Sequence, residues 1–469
     1  MQYPKQNPLE TQSIGRLVAR FALPGVVSML VNSLYNIVDQ IFIGQGVGYL
    51  GNGATNVVFP FTMFALALAL LVGNGAATYL SLRMGERMTA EAKQGVGNAV
   101  TVLGILGILF LILGGLFLKP LLTLFGATEL LMPYALAYGR IIIIGLPFSI
   151  IGTGINSIIR ADGAPRFAMT SMVLGAVINT ILDPLFIFVF HMGMEGAAIA
   201  TVISQVASFV VSVAYLRHMK SFHFEKRDFI PHRQTVFDVS KLGISNFITQ
   251  FSTVLVIMVV NNLFVLYGTA SSYGAEIPLT AHGIVMKVYS IFSGVLVGLG
   301  TGAQPILGYN YGAGNMARVK KTFGVTVMIA TCIGLVATVA FQVFPHAIVN
   351  LFGSGGDLYN DFAVKDFRIF LMLCILSGFQ IVSSIFLQSL GQVAMAAVTS
   401  LSRQIIIFIP TSILLCRMIG VEGVMWAGPI SDGLAFILSL ILVIFVLRKL
   451  GKVQHVQCLS VAPVADIGE

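Results

Sequence analysis

Long apolar stretches separated by short polar connections dominate this chain of 469 residues. A helix needs about 20 predominantly apolar residues to span the hydrocarbon core of a bilayer, and twelve stretches reach that length. We predict membrane-spanning helices near residues 14–42, 53–81, 94–118, 131–158, 166–190, 196–216, 238–266, 280–308, 322–344, 366–389, 394–416 and 423–447. The pattern therefore predicts an all-α integral membrane protein.

Composition agrees with this pattern and excludes several classes of protein. Of all residues, 57% are hydrophobic and 10% are charged, whereas a soluble domain carries about 25% charged residues. Soluble, disordered and disulfide-rich proteins are therefore excluded. The net charge of +8 would suggest nucleic acid in a polar protein, so the positions of the basic residues decide what it means.

The basic residues are distributed unequally between the two sides of the predicted membrane. Of the 27 Lys and Arg residues, twenty lie on the side of the N-terminus, in connections or at the adjoining ends of spans, and Lys287 and Arg403 lie deeper within helices. The five on the opposite side are Lys119, Arg140, Lys365, Arg368 and Arg417. Because cytoplasmic loops carry the excess of Lys and Arg, we expect a protein of the cytoplasmic membrane with both termini cytoplasmic. No nucleic-acid partner is needed to explain the charge.

The two halves of the sequence resemble each other at a shift of about 227 residues. The segment GMEGAAIATVISQ (193–205) aligns with GVEGVMWAGPISD (420–432), and Arg140 aligns with Arg368 after one residue of drift. Because each half has an even number of spans, the repeats enter the membrane in the same orientation. We predict two parallel six-helix lobes around a central cleft, with the following boundaries: N-lobe 1–218, cytoplasmic linker 219–236, C-lobe 237–450 and polar cytoplasmic tail 451–469.

A group of polar residues is expected in the half of the N-lobe remote from the termini. Asp39 lies late in the first span, Asp183 late in the fifth and Thr201 early in the sixth, so all three lie at similar depth. Asn179 precedes Asp183 by four residues and shares its helical face. An oxygen-rich cluster of this kind can hold Na⁺ or a proton. The alternative is a structural network of hydrogen bonds that only holds the helices together.

Three further ionisable residues fall in spans of the C-lobe. Lys287 and Asp432 each lie about eight residues into a span that runs toward the cytoplasm, which predicts a buried ion pair. A role of this pair in gating or substrate contact is the alternative. We expect Arg403 to extend its guanidinium to the cytoplasmic face in a structural role. As an alternative, Arg403 and Gln250 are further polar candidates for gating in the C-lobe.

Signals for enzyme chemistry are missing from the sequence. It contains no Ser/His/Asp pattern, no zinc-protease motif and no phosphate-binding loop. We therefore expect neither an enzyme nor an ATP-driven pump, no cofactor, and no metal beyond Na⁺ at the N-lobe cluster.

The twelve predicted helices, Asp39 in the first of them and the N-x-x-x-D-P motif at 179–184 together resemble the multidrug and toxic compound extrusion family, MATE. The segments GAQPILGYNYGAGN (302–315) and WAGPISD, which carries Asp432, resemble its bacterial MepA-like branch. The resemblance implies an antiporter that exports amphipathic, often cationic drugs and dyes in exchange for H⁺ or Na⁺. It assigns cation coupling to Asp39, Asn179, Asp183 and Thr201.

The family resemblance also bears on the seventh span, on a hinge in the first helix and on the alternative function. Other branches use acidic residues in the C-lobe, but the seventh span here offers only Gln250, Asn261 and Asn262. Pro24 and Gly25 are candidate hinges for bending of the first helix, and we expect a monomer in the lipid bilayer. A flippase for lipid-linked oligosaccharides is the alternative function, although its pyrophosphate substrate would require several Arg or Lys side chains in the cleft.

Overall fold

The computed structural model describes residues 8–460 except 126, 128, 130, 275 and 352–356, and these residues contain no strand. The helices are α1 Pro8–Thr11, α2 Ile14–Gly46, α3 Tyr49–Gly85, α4 Thr89–Leu124, α5 Met132–Ala161, α6 Pro165–Pro184, α7 Gly193–Leu216, α8 Arg233–Gly268, α9 Glu276–Gly312, α10 Met316–Val343, α11 Pro345–Leu351, α12 Asp357–Phe370, α13 Cys374–Ser389, α14 Val393–Leu401, α15 Ile409–Ile419 and α16 Gly423–Ser460. Leu185–Val189 and Ser402–Phe408 are π-helical turns that follow α6 and join α14 to α15.

The helices account for twelve membrane crossings. Ten segments of the described chain can cross a membrane unaided, and α12 with α13 forms an eleventh that bends by 52°. One of the ten, Val393–Leu450, has 58 residues, or about 87 Å of helix, so it crosses twice. It turns at Gly420, whose φ of 73° is readily adopted by glycine. The predicted all-α fold with twelve spans is confirmed.

Two clusters of buried apolar side chains define two lobes. Leu80, Leu103 and Ile150 belong to the N-lobe core, and Phe362 and Phe386 belong to the C-lobe core. All five side chains are fully buried. The architecture is therefore the predicted pair of helical lobes, each with its own core.

The first helix of each lobe is shared between the two cores. Leu17 and Phe21, near the start of α2, pack in the C-lobe core, whereas Ile43 near its end packs in the N-lobe core. Conversely, Val239 near the start of α8 packs in the N-lobe core and Phe264 near its end in the C-lobe core. The lobes are thus interlocked at one end of the bundle. We call this end, where α2 and α8 start, the inner end, and the opposite end the outer end.

The lobes touch at the inner end and separate toward the outer end. On α9, a Cβ atom built on Gly298 would lie 2.7 Å from the carbonyl oxygen of Gly25, and one built on Gly294 would lie 3.5 Å from Ser33 Oγ. At Gly283, which shares this face of α9, no described atom outside the local helix lies within 4 Å. A cleft between the lobes is therefore open at its outer end.

The linker between the lobes is docked on the N-lobe. Lys93 Nζ lies 2.9 Å from Glu225 Oε1 and 3.2 Å from Asp228 Oδ2, and Asn98 Nδ2 donates to the carbonyl oxygen of Asp228 at 2.9 Å. The hydrogen bond from Lys93 and the charge of Arg227 hold the pKa of Glu225 below its ordinary value. These contacts hold the linker against the N-lobe, although its sequence is strongly polar.

The predicted boundaries remain predictions, with two details added by the helices. The helix α8 begins at Arg233, inside the predicted linker 219–236. The last helix runs to Ser460, so residues 451–460 of the predicted tail continue α16. Residues 461–469 of that tail lie outside the described residues.

Candidate functional site

Asp39 and Asp183 lie together in the outer half of the N-lobe. Asp39 lies late in α2, and Asp183 directly precedes Pro184, the last residue of α6. Their side chains are 8% and 0% exposed and lie within hydrogen-bonding reach of each other. Proline cannot donate a backbone hydrogen bond, and the π-helical turn Leu185–Val189 follows it directly. The irregular backbone therefore begins next to a carboxylate.

Asn179 and Thr201 complete the cluster. Asn179 Nδ2 donates to Asp183 Oδ1 at 3.1 Å and to Thr201 Oγ1 at 3.4 Å. Three buried oxygen atoms, Asp39 Oδ1, Asp183 Oδ2 and Asn179 Oδ1, have no hydrogen-bond partner among the described residues. The structure thus brings together all four residues that the sequence selected.

The chemistry of these oxygen atoms distinguishes the two interpretations of the cluster. A structural network normally satisfies its buried acceptors, whereas this cluster leaves three acceptors without a donor. Two carboxylates in mutual contact cannot both stay charged unless a proton or a cation lies between them. Carboxylate, amide and hydroxyl oxygens are suitable ligands for a hard cation. The arrangement of these oxygen atoms can therefore accommodate H⁺ or Na⁺.

Several residues that surround the cluster were not predicted from the sequence. Gln40 Nε2 donates to Asp39 Oδ2 at 3.5 Å, and Thr55 Oγ1 donates to Gln40 Oε1 at 3.2 Å. Tyr35 and Tyr138 lie close enough to Asp39 to interact with its charge. The spacing of four residues between Tyr35 and Asp39 could have indicated a shared face. No sequence signal linked Tyr138 on α5 to this cluster.

The predicted ion pair between Lys287 and Asp432 is wrong. Asp432 instead accepts from Arg403, whose Nε lies 2.6 Å from Asp432 Oδ1, and the Arg403 guanidinium stacks 4.9 Å from the centre of the Tyr289 ring. Its side chain is only 18% exposed, so the expectation that Arg403 reaches the cytoplasmic face is also wrong. The physical reason is the π-helical turn Ser402–Phe408, which carries Arg403 and packs against α16.

Lys287 is exposed and faces the cleft. It precedes Gly294 by seven residues, or about two helical turns, so it lies on the face of α9 that approaches α2. Since α2 and α9 are antiparallel, with Gly298 opposite Gly25, Lys287 is about level with Asp39 on the other wall. None of the ion pairs in the described part of the chain includes Lys287.

The remaining candidates occupy distinct places. Pro24 and Gly25 lie where α2 passes from the C-lobe core to the N-lobe core, and Ser28 Oγ donates to the Pro24 carbonyl oxygen at 2.8 Å. Gln250 is half-buried on α8. No hydrogen bond between described residues joins Gln250 to Arg403, which is bonded to Asp432. A role of Gln250 in gating stays a prediction.

A second buried ionisable pair in the C-lobe was missed altogether. His282 Nδ1 lies 2.8 Å from Asp366 Oδ2, and the two residues are 5% and 0% exposed. The rings of Phe264 and Phe370 each lie 4.9 Å from the imidazole. The apolar pattern placed both residues at the ends of predicted spans, where charged side chains are common.

Comparison with known proteins identifies the family. The MatE family model matches residues 24–185 and 242–414, which is more than half of the chain. The chain belongs to the MatE family. The two matched segments correspond to the two lobes, so membership covers both halves of this MatE protein.

Relatives and solved structures agree with this assignment. The chain is 24% identical over 442 residues to the multidrug export protein MepA of Staphylococcus aureus strain MSSA476, covering 94% of this chain and 95% of that relative. It is 23% identical to the MepA of Staphylococcus saprophyticus, covering 96% and 98% of the two chains. A MOP superfamily transporter from Pyrococcus furiosus superimposes with a TM-score of 0.89 at 22% identity, over 96% of this chain and all of that one. An outward-facing multidrug resistance MATE transporter gives the same TM-score and identity, over 96% and 99%.

Proposed function

We propose that this MatE protein is a multidrug efflux antiporter that exports amphipathic, often cationic drugs and dyes in exchange for H⁺ or Na⁺. The observation that carries the proposal is the buried cluster of Asp39, Asn179, Asp183 and Thr201, because it combines two carboxylates with acceptors that lack a donor. The MepA relatives are named multidrug export proteins, which supports more than one drug as cargo.

The position of α2 supports coupling of the cluster to the lobes. Its outer half carries Asp39, and its inner half packs in the C-lobe core. Binding of a cation removes the repulsion between Asp39 and Asp183, and a bend near Pro24 and Gly25 then moves one half of α2 relative to the other. The cation and the drug bind different states of the same helix, so each shifts the population toward its own state.

The membrane potential adds to the driving force for this exchange when the drug is uncharged. One elementary charge that crosses about 100 mV gains about 2.3 kcal/mol, which corresponds to roughly a fifty-fold concentration ratio. A single coupling cation therefore suffices to concentrate an uncharged drug outside the cell. One-for-one exchange with a monovalent cationic drug moves no net charge, so the concentration gradient of the coupling cation drives that exchange.

We further propose that both termini lie in the cytoplasm and that the protein acts as a monomer in the cytoplasmic membrane, with no cofactor. The excess of Lys and Arg on the side of the termini supports this orientation. In this orientation the cleft opens to the outside of the cell. The drug therefore leaves from the conformation in which the lobes touch at the inner end and separate at the outer end.

The cleft argues against the alternative, a flippase for lipid-linked oligosaccharides. A pyrophosphate head group needs several cationic side chains for its oxygen atoms. Arg403 is already paired with Asp432, which leaves Lys287 as the unpaired candidate that the sequence singled out.

The experiment is efflux of ethidium from proteoliposomes with the Na⁺ gradient and the pH gradient imposed separately. We expect one of the two gradients to drive efflux by the wild type and Asp39→Asn to abolish that effect. The matched control is Asp361→Asn, which removes an exposed carboxylate of α12. Efflux that is independent of both gradients, or full coupling in Asp39→Asn, would refute the proposal.

A further inference from the structure

A narrow groove runs between α4 and α5 on the outer surface of the N-lobe. It has a volume of about 260 Å³. Apolar side chains form most of its walls, among them Leu111, Leu116 and Ile144, and the two cations Lys119 and Arg140 line it as well. The groove is separate from the cleft between the lobes, and no step of the proposed transport uses it.

The two halves of the groove differ in polarity. On α4, Lys119 lies eight residues beyond Leu111, or about 12 Å closer to the outer end. On the antiparallel α5, Arg140 precedes Ile144 by four residues, or about 6 Å in the same direction. Both cations therefore lie in the outer half of the groove, where Leu136 lies about one helical turn beyond Arg140. The rest of the apolar part extends toward the middle of the membrane.

The groove faces lipid. Leu116 is 71% exposed and Ile144 is 56% exposed, which is typical of side chains that contact acyl chains in a protein that spans the bilayer. The apolar part of the groove therefore fits a hydrocarbon chain from the surrounding bilayer.

Neither of the two cations forms an ion pair with a described residue. Both side chains are exposed, and neither takes part in any of the ion pairs found in the described ranges. Only five Lys and Arg residues are expected on this side of the membrane, and two of them meet at this groove. Two unpaired cations at head-group depth complement a phosphate, because charge-assisted hydrogen bonds to phosphate oxygens are strong.

We propose that this groove binds one anionic phospholipid, such as phosphatidylglycerol, from the leaflet at the outer end of the bundle. Lys119 and Arg140 hold its phosphate, and one acyl chain lies along Leu111, Leu116 and Ile144. In the orientation proposed above, this is the outer leaflet. A zwitterionic lipid binds less well, because its choline group adds a positive charge beside two cations.

The test is a titration of the purified full-length protein in detergent with phosphatidylglycerol or phosphatidylcholine, in which native mass spectrometry counts the bound lipids. We expect the wild type to prefer phosphatidylglycerol. The double variant Lys119→Gln/Arg140→Gln is expected to bind it at least about ten-fold more weakly, because it loses two hydrogen bonds to a charged group. Each single variant should give an intermediate loss.

The matched control is Arg368→Gln, which removes the cation at the equivalent position of the second repeat. Arg368 is exposed and lies outside the groove, so this variant should bind both lipids like the wild type. An equal loss in Arg368→Gln, or an unchanged affinity in the double variant, would overturn the proposal. The melting temperature without lipid shows that each variant is folded.

A further measurement separates a lipid from a free anion. Glycerol phosphate carries the same charged group without acyl chains, and we expect it to leave phosphatidylglycerol bound at equal concentration. Displacement of the lipid by glycerol phosphate would show that the site recognises a soluble phosphate, and it would contradict the assignment to a lipid.

Discussion

Asp432 is the C-lobe residue at which removal of one charge should most reduce stability. Its carboxylate is 2% exposed and accepts from Arg403 at 2.6 Å. Asp432→Asn would leave the guanidinium buried without its counter-charge, which typically costs about 3–5 kcal/mol. We expect a loss of this size in the free energy of unfolding, measured by SDS titration in mixed micelles.

Lys287→Gln is the control for this experiment. Lys287 is a charged residue of the same lobe, but it is exposed and unpaired in the described structure, so its replacement should change the free energy of unfolding by less than about 0.5 kcal/mol. Equal losses in both variants would contradict the assignment of Asp432 and Arg403 as a stabilising pair.

The charge of Lys287 should affect which drugs the cleft accepts. A cation on the cleft wall disfavours a cationic drug by about 1 kcal/mol at a separation near 10 Å and an intermediate dielectric constant. We therefore expect Lys287→Gln to raise efflux of a cationic rhodamine ester relative to the parent zwitterionic rhodamine by roughly five-fold. Arg368→Gln, outside the cleft, should leave the ratio of the two rates at the wild-type value. An unchanged ratio of the two efflux rates in Lys287→Gln would show that the side chain of Lys287 does not lie on the cleft wall.

At the scale of helices, the contact between α2 and α9 decides how the inner end closes. Gly25 and Gly298 lie so close that a Cβ atom on either would lie 2.6–2.7 Å from a carbonyl oxygen of the other helix. Gly298→Ala should therefore force the helices apart, with a loss of about 1–3 kcal/mol in the free energy of unfolding. We expect slower ethidium efflux as well, because the closed inner end becomes less stable.

Gly283→Ala provides the matched comparison on the same helix. Nothing in the described structure outside the local helix lies within 4 Å of a Cβ atom at this position, and alanine favours the helix over glycine by up to about 1 kcal/mol. The free energy of unfolding and the rate of ethidium efflux of Gly283→Ala should therefore stay at or above the wild-type values. If Gly283→Ala reduced the free energy of unfolding and the efflux rate as much as Gly298→Ala does, close packing of α2 against α9 would not be the cause of the losses in Gly298→Ala.

Most helices could be predicted from the sequence, because each span needs only a run of apolar residues. The bend between α12 and α13 could not, since residues 371–373 contain neither proline nor glycine. The π-helical turn Ser402–Phe408 could not be predicted either, because its residues also contain neither proline nor glycine. The pairing of Arg403 with Asp432 depends on this turn and was therefore missed as well. Such pairings depend on how a helix is rotated about its axis, which composition does not encode.

The cluster of Asp39, Asn179, Asp183 and Thr201 could be predicted from the sequence, because two independent constraints, depth in the membrane and helical spacing, place its residues. The span number and direction give each residue its depth, and the spacing of four residues places Asn179 beside Asp183. Tyr138 and the pair of His282 with Asp366 lacked such constraints. They lie on helices whose contacts follow only from the complete fold.

At the scale of the whole molecule, Arg318 ties the segment before α2 to the C-lobe. Its Nη2 donates to the carbonyl oxygens of Leu9 at 3.1 Å and Gln12 at 2.7 Å, and its Nε donates to Asn310 Oδ1 at 3.1 Å. The start of the N-lobe's first helix is thus anchored in the other lobe. Separation of the lobes at the inner end requires this anchor to move.

Arg318→Gln should make opening of the inner end more frequent. The loss of hydrogen bonds from a charged donor should raise the population of the open form by at least about ten-fold. The measurement is the rate at which a membrane-impermeant maleimide labels Phe21→Cys in a background without other cysteines, since Phe21 is 3% exposed in the closed form. Lys321→Gln removes an exposed cation nearby and should not change the rate. Equal labelling in Arg318→Gln and wild type would show that Arg318 does not hold the inner end closed.

The most direct test of the central claim is cation movement driven by drug alone. Proteoliposomes receive an ethidium gradient with no gradient of H⁺ or Na⁺, and an internal pH dye and radioactive sodium report the cation flux. The account predicts that the wild type moves one of the two cations against the direction of ethidium movement and that Asp39→Asn does not. Ethidium movement without cation movement in the wild type, or unchanged coupling in Asp39→Asn, would contradict it.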